Sequence, residues 1–162
     1  MEEIPAAINR IIPNKSDFLF YFFQKGLIFM RLWHKDLIPY LPRQQLVSQW
    51  RECCCIARNI YHDGTPNHLL VNKILDYPDE DFNTYTSYVI AEMQKRGYSV
   101  RPDRFWQWRE NQELSDREIF NGWHNVRYMK QCYSNLMEKY DCGGIPEDVW
   151  KALNGFVQRM YF

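Results

Sequence analysis

Apolar residues recur at helical spacing through much of the chain beyond residue 43. Leu46, Trp50, Cys53, Ala57 and Ile60 follow one another at intervals of four, three, four and three, so they share one face of a helix. The spacing predicts a helix from Arg43 to the stop at Asp63-Gly64-Thr65-Pro66. Glu52 falls about 100° or more from the centre of this stripe, on a face with Gln45 and Gln49. Before it, Pro39 and Pro42 predict a turn-rich entry. After it, His68, Leu69, Leu70, Val71, Ile74 and Leu75 mark a second apolar segment, and residues 78–81 read as an acidic turn. A third helix is predicted from Phe82 to Arg96, with Gly97 where a helix ends and Lys95 and Arg96 placed to suit its dipole.

Residues 98–114 carry no clear period. Ser115-Asp116-Arg117-Glu118 has the form of a capping box, which predicts a long helix with Ile119, Trp123, Val126, Met129, Tyr133, Leu136 and Tyr140 as its apolar stripe. Cys142-Gly143-Gly144 stops it. Pro146, Glu147 and Asp148 open a last helix with Val149, Leu153, Phe156 and Val157 facing inward. No hairpin or alternating run stands out, so the expected class is all-α.

Composition narrows the function classes. The chain has 162 residues, a length that suggests one domain. Lys+Arg and Asp+Glu both number 20, so a binder held to nucleic acid by bulk charge alone is excluded, although a local basic face is not. The five cysteines include three in a row, Cys53 to Cys55, which do not suit a disulfide framework and fit a reducing cytoplasm. A Cys/His metal site is the sharper alternative, but no CxxC, HxxxH or HExxH spacing supports it, and no metal or cofactor is expected. The apolar run Phe18 to Phe23 is far short of the ~20 residues that span a bilayer.

Residues 1–29 differ from the rest. Residues 1–17 hold two prolines and no convincing period, and Lys25-Gly26 can be encoded by a sequence resembling a bacterial ribosome-binding site, three codons ahead of Met30. Two readings stand: Met30 is the native start and residues 1–29 are translated leader, or residues 1–29 are a helical extension docked through Phe18 to Phe23. Residues 30–162 are expected to form a single helical domain.

Two stretches carry a resemblance. Met30-Arg31-Leu32-Trp33-His34-Lys35-Asp36-Leu37-Ile38-Pro39-Tyr40-Leu41-Pro42-Arg43-Gln44-Gln45-Leu46, followed by Trp50-Arg51-Glu52, resembles the amino terminus of the pyrimidine-dimer DNA glycosylase family. The stretch from His68 to the helix ending Lys95-Arg96-Gly97-Tyr98 resembles its second block. The resemblance implies a compact all-helical fold without a metal. It also implies a free N-terminal amine that attacks C1′ of a damaged nucleotide, forms a Schiff base and cleaves the strand by β-elimination. Carried over, Glu52 is the acid–base glutamate and Met30 supplies the amine, unless the register shifts by one. The implied partner is damaged double-stranded DNA; a monomer in the cytoplasm is expected. Were Met30 internal, the chemistry would fail or pass to Lys35. Cys55, Gln45 and the tail from Phe156 to Phe162 depart from the family pattern.

The chemistry suits those residues. An α-amine titrates near 7.7–8.0, so roughly a tenth or more is neutral at pH 7, whereas lysine is almost wholly charged. Arg31, His34, Arg43, Arg51 and Arg58 are the candidate DNA contacts, since phosphates supply much of the affinity for nucleic acid; each also reads as ordinary surface or structure. The basic stretch from Lys95 to Arg109, with Trp106 and Trp108, reads either as a DNA-facing loop or as core aromatics with a wet rim. A non-catalytic nucleic-acid-binding or interaction module of the same fold is the alternative function.

Overall fold

The computed structural model describes residues 30–162. The expectations for residues 1–29, including the docked Phe18–Phe23 run, lie outside the described residues. Helix α1 spans Arg43–Asp63, α2 Asp79–Lys95, α3 Asp103–Trp106, α4 Val126–Asp141 and α5 Glu147–Tyr161. Two 3-10 segments, Lys35–Tyr40 and Asn72–Asp76, complete the regular structure, and no strand occurs among the described residues. The fold class is all-α, as the periodicity predicts.

Each boundary has a local cause. Pro42, Pro78 and Pro146 stand at the N-caps of α1, α2 and α5, where the missing N–H costs nothing. Gly64 closes α1 in the left-handed conformation, at φ 72°. The acidic turn at residues 79–81 is the first turn of α2, three residues earlier than the apolar pattern alone suggests. Carboxylates there face the positive end of the helix dipole.

The capping box at Ser115 does not open a helix. Phe120 and Gly122 both have positive φ, 52° and 86°, which no α-helix tolerates, so residues 115–125 run as turns. Asn125 caps α4 instead, its side chain accepting from the Tyr128 N–H at 3.0 Å. Residues 111–120 are strapped to α2 by buried polar side chains. Asn83 Nδ2 donates to the carbonyls of Asn111 and Glu113 at 2.9 Å each. Thr84 Oγ1 accepts from Ser115 N at 2.7 Å, and Asp81 Oδ2 accepts from Phe120 N at 2.9 Å.

The core gathers Leu37, Leu46, Ile56, Phe82, Tyr85, Phe105, Phe120, Met129, Leu136 and Leu153, all fully buried. Helix α1 packs on α2 and α3, and the Lys35–Tyr40 segment packs on α2 and α5. The basic stretch at residues 95–109 divides: Lys95, Arg101 and Arg104 stay exposed, and Arg96 and Arg109 are taken into the structure. Arg96 pairs with Glu92 at 2.7 Å and donates to the carbonyls of Leu41 and Pro39, Arg101 pairs with Asp103, and Arg109 is buried against Phe82 and Asn83. Trp106 and Trp108 pack against the core.

Candidate acid–base site and nucleic-acid interface

The face of α1 that carries Gln49 and Glu52 is buried, because the extended residues 30–34 lie over it. Glu52 is only 7 % exposed. Its Oε2 accepts the backbone N–H of Arg31 at 3.3 Å and the amide of Gln49 at 3.2 Å. Gln49 is the organising residue. Its Oε1 accepts from Trp33 N at 2.8 Å and from the Tyr85 hydroxyl at 2.9 Å, while its Nε2 also donates to the Arg31 carbonyl at 3.0 Å. All four hydrogen-bonding positions of the amide are filled, which fixes its orientation. The single Tyr85 O–H is shared between Gln49 Oε1 and the Trp33 carbonyl, and Tyr128 of α4 donates to the carbonyl of Leu32.

Burial dominates the electrostatics of Glu52. Desolvation lifts its carboxyl to about 8, and the two N–H donors and the Arg31 charge only partly oppose the shift. The group is therefore largely protonated at neutral pH and within reach of ionisation. A carboxyl poised near the working pH can both give and accept a proton. The adjacent thiols are different: burial raises Cys54 to about 12, Cys55 to about 11 and Cys53 well up, so all three stay protonated and inert.

The predicted residues separate in space. The nitrogen that faces Glu52 is that of Arg31, and the Met30 side chain is buried in the core. His34, expected as a phosphate contact, is 1 % exposed and lies inside the protein. Its Nδ1 accepts from Asp36 N at 3.2 Å to cap the 3-10 segment, and its ring lies 5.2 Å from that of His124. Arg43 is exposed but stacks on Tyr98, nine residues and about 13 Å of helix rise before Glu52. Arg51 is exposed beside Glu52, and Arg58 lies over Trp108. Lys35 is occupied, its Nζ bonding Glu118 at 2.8 Å and the Ile119 carbonyl at 3.0 Å.

Sequence reasoning missed the wall opposite. A groove of about 630 Å³ opens beside Arg31 and is lined on α4 by Arg127, Tyr128, Lys130, Gln131, Ser134 and Asn135, with Leu70 at its side. Three cations and no carboxylate line it. Arg31 belongs to both features. Its N–H meets Glu52, and its side chain lines the groove together with Tyr128 of α4. Arg127 and Lys130 are three apart on a helix whose apolar stripe was evident, so the spacing of charges on its other face was the available signal.

A family model described as pyrimidine dimer DNA glycosylase matches residues 30–106, from the segment over Glu52 to the end of α3. Over residues 30–106 the chain is similar to that family. The match brings with it, at family level, a DNA glycosylase-type repair role and a DNA substrate. No curated protein and no solved structure matches the chain. Helices α4 and α5 fall outside the matched segment, although α4 supplies most of the cationic groove. Among the described residues no helix is long and apolar enough to cross a membrane, and no group of three or more His, Cys, Asp or Glu could hold a metal ion.

Proposed function

We propose that the protein is a DNA glycosylase with AP lyase activity that works through a free α-amine at residues 30–31 and the carboxyl of Glu52. The supporting observation is the 3.3 Å contact between Arg31 N and Glu52 Oε2 inside a fully satisfied hydrogen-bond network. A chain that begins at Met30 sets its amine one residue from this contact, and one that begins at Arg31 sets it directly on the carboxylate. In the longer chain both nitrogens are amides and cannot form a Schiff base.

The amine attacks C1′ of the damaged nucleotide, and the base departs with a proton. Protonated Glu52 gives its proton to the sugar ring oxygen as the C1′–O4′ bond breaks, leaving a Schiff base between C1′ and the amine. The resulting carboxylate removes a proton from C2′, and the electron pair expels the 3′ phosphate. Hydrolysis of the Schiff base restores the amine. Arg31, Arg51, Arg127 and Lys130 supply the phosphate contacts, and Arg58 extends that set along α1.

Borohydride trapping on an abasic-site duplex tests this reading, with chains that begin at Met1, Met30 and Arg31. A covalent adduct is expected from a chain with its amine at residue 30 or 31, and none from the chain in which both nitrogens are amides. Equal trapping by all three would move the nucleophile to a lysine. Duplex binding without trapping by any would leave a non-catalytic binding module.

A further inference from the structure

Residues 64–71 form a turn at the C-terminal end of α1, held by its own hydrogen bonds. Asn59 Nδ2 donates to the Pro66 carbonyl at 3.1 Å and Asn67 Nδ2 to Asp63 Oδ2 at 2.7 Å. His68 N donates to Asn72 Oδ1 at 3.1 Å, and the N–H groups of Val71 and Asn72 both return to the His68 carbonyl. Val71 anchors the turn in the core. Between these anchors Leu69 stands 87 % exposed, more than any other large apolar side chain among the described residues.

A single exposed leucine is ordinary. This one is set beside a charged feature, because its neighbour Leu70 lines the groove that carries Arg31, Arg127 and Lys130. That groove attracts a polyanion. Phosphates offer nothing to an apolar side chain, but the faces of bases do once a base step is opened, and leucine is among the side chains that wedge between bases. We propose that Leu69 is a wedge that enters the base stack next to the lesion while Arg31, Arg127 and Lys130 hold the strand's phosphates. The proposal rests on the DNA reading above. Because Arg31 spans the groove and the Glu52 site, the opened step and the reacting sugar would lie on either side of one residue.

The test uses the full chain and its Leu69→Ala and Leu69→Met variants. The probes are two duplexes carrying a stable abasic analogue with 2-aminopurine opposite it. One is fully paired around the site, and the other has mismatches flanking it. Leu69→Ala is expected to lose about tenfold in affinity for the paired duplex, together with most of the fluorescence rise, and to bind the mismatched duplex within about twofold, since the step is already open. Leu69→Met should behave as the unsubstituted chain. Equal losses on both duplexes, or no loss on either, would overturn the wedge. So would a loss of self-association on sedimentation with DNA binding unchanged, which would make the turn a protein interface. Failure of the unsubstituted chain to bind either duplex would reject the DNA reading itself, and the wedge with it.

Discussion

Two polar clusters are buried against the same short segment, residues 31–35. On the α1 side, Gln49 and Glu52 take up the N–H of Arg31 and Trp33 and the carbonyl of Arg31. On the α4 side, His124 Nδ1 accepts the N–H of Lys35 at 3.0 Å and packs on His34. Burial shifts the groups in both clusters, with opposite chemical results. It lifts Glu52 to about 8, where a proton can be exchanged, and it lowers both imidazoles, His124 to about 2, so that they remain neutral. In the first cluster the amide of Gln49 is fully bonded; in the second, the Nε2 atoms of both histidines have no partner. Burial alone therefore does not mark a working group. The first cluster adjoins a cationic groove through Arg31, and the second closes the core.

The largest expected effect separates the clusters by activity. Glu52→Gln keeps the shape and an acceptor for the Arg31 N–H but cannot cycle a proton. Cleavage at abasic sites should fall by roughly 100-fold or more, as for loss of a general acid–base group, with duplex affinity within about threefold. Cleavage at the unsubstituted rate would remove the role given to Glu52.

Gln49→Leu comes next. It strips partners from Trp33 N, the Arg31 carbonyl, the Tyr85 hydroxyl and Glu52 at once, all in a buried setting. Tyr85 keeps the Trp33 carbonyl and Glu52 keeps the Arg31 N–H, so Trp33 N and the Arg31 carbonyl are the orphaned groups; at about 1–3 kcal/mol each, a loss of roughly 2–4 kcal/mol is expected. Losing a donor also pushes the Glu52 carboxyl further up, which should move the alkaline limb of the cleavage profile to higher pH. Chemical denaturation and a pH–rate series read the two effects. An unshifted profile would show that Gln49 serves packing alone.

How much of this was legible in the sequence differs between the clusters for a physical reason. Periodicity finds apolar stripes, and the stripe from Leu46 to Ile60 led directly to α1. It assigned Gln49 and Glu52 to the opposite face, and nothing in a local pattern shows that residues 30–34 cover that face. Glu52 was reached through its resemblance to a family and Gln49 was not reached as a functional residue. The capping box at Ser115 failed because the backbone of Phe120 and Gly122 cannot continue a helix. Glu118, its intended partner, bonds Lys35 instead. His34 looked available in the sequence beside Trp33 and is enclosed by α4 and α5, both of which lie far along the chain.

His124→Leu sharpens the contrast with a smaller effect. It removes the acceptor of the Lys35 N–H, a part-buried bond, at a cost of about 1–3 kcal/mol, and takes no hydrogen bond from the Glu52 network, although the ring packs on Tyr85 and Tyr128. Unfolding should shift while cleavage per folded molecule stays within about threefold. A fall in cleavage as large as that of Glu52→Gln would mean that the histidine pair belongs to the chemistry.

The two clusters also pull stability in opposite directions with pH. The folded pKa of Glu52 is raised from 4.5 to about 8, so the folded state holds a proton that the unfolded state has lost. Its contribution is fully present below pH 4.5 and declines as pH rises towards 8. The folded pKa values of His34 and His124 are lowered from 6.5, so the unfolded state binds protons first, and their contribution declines as pH falls below about 6.5. Between pH 4.5 and 6.5 two histidines outweigh one carboxyl, and stability rises with pH. Between 6.5 and 8 only Glu52 acts among the three, and stability falls by roughly 1–2 kcal/mol. The expected maximum is therefore near pH 6.5. Denaturation midpoints measured from pH 5 to 9 should show this bell, Glu52→Gln should flatten only its alkaline side, and His124→Leu should weaken only its acid side. A variant that changed both limbs would show that the clusters are coupled through residues 31–35, and a flat wild-type curve would show that neither is buried in solution as the geometry requires.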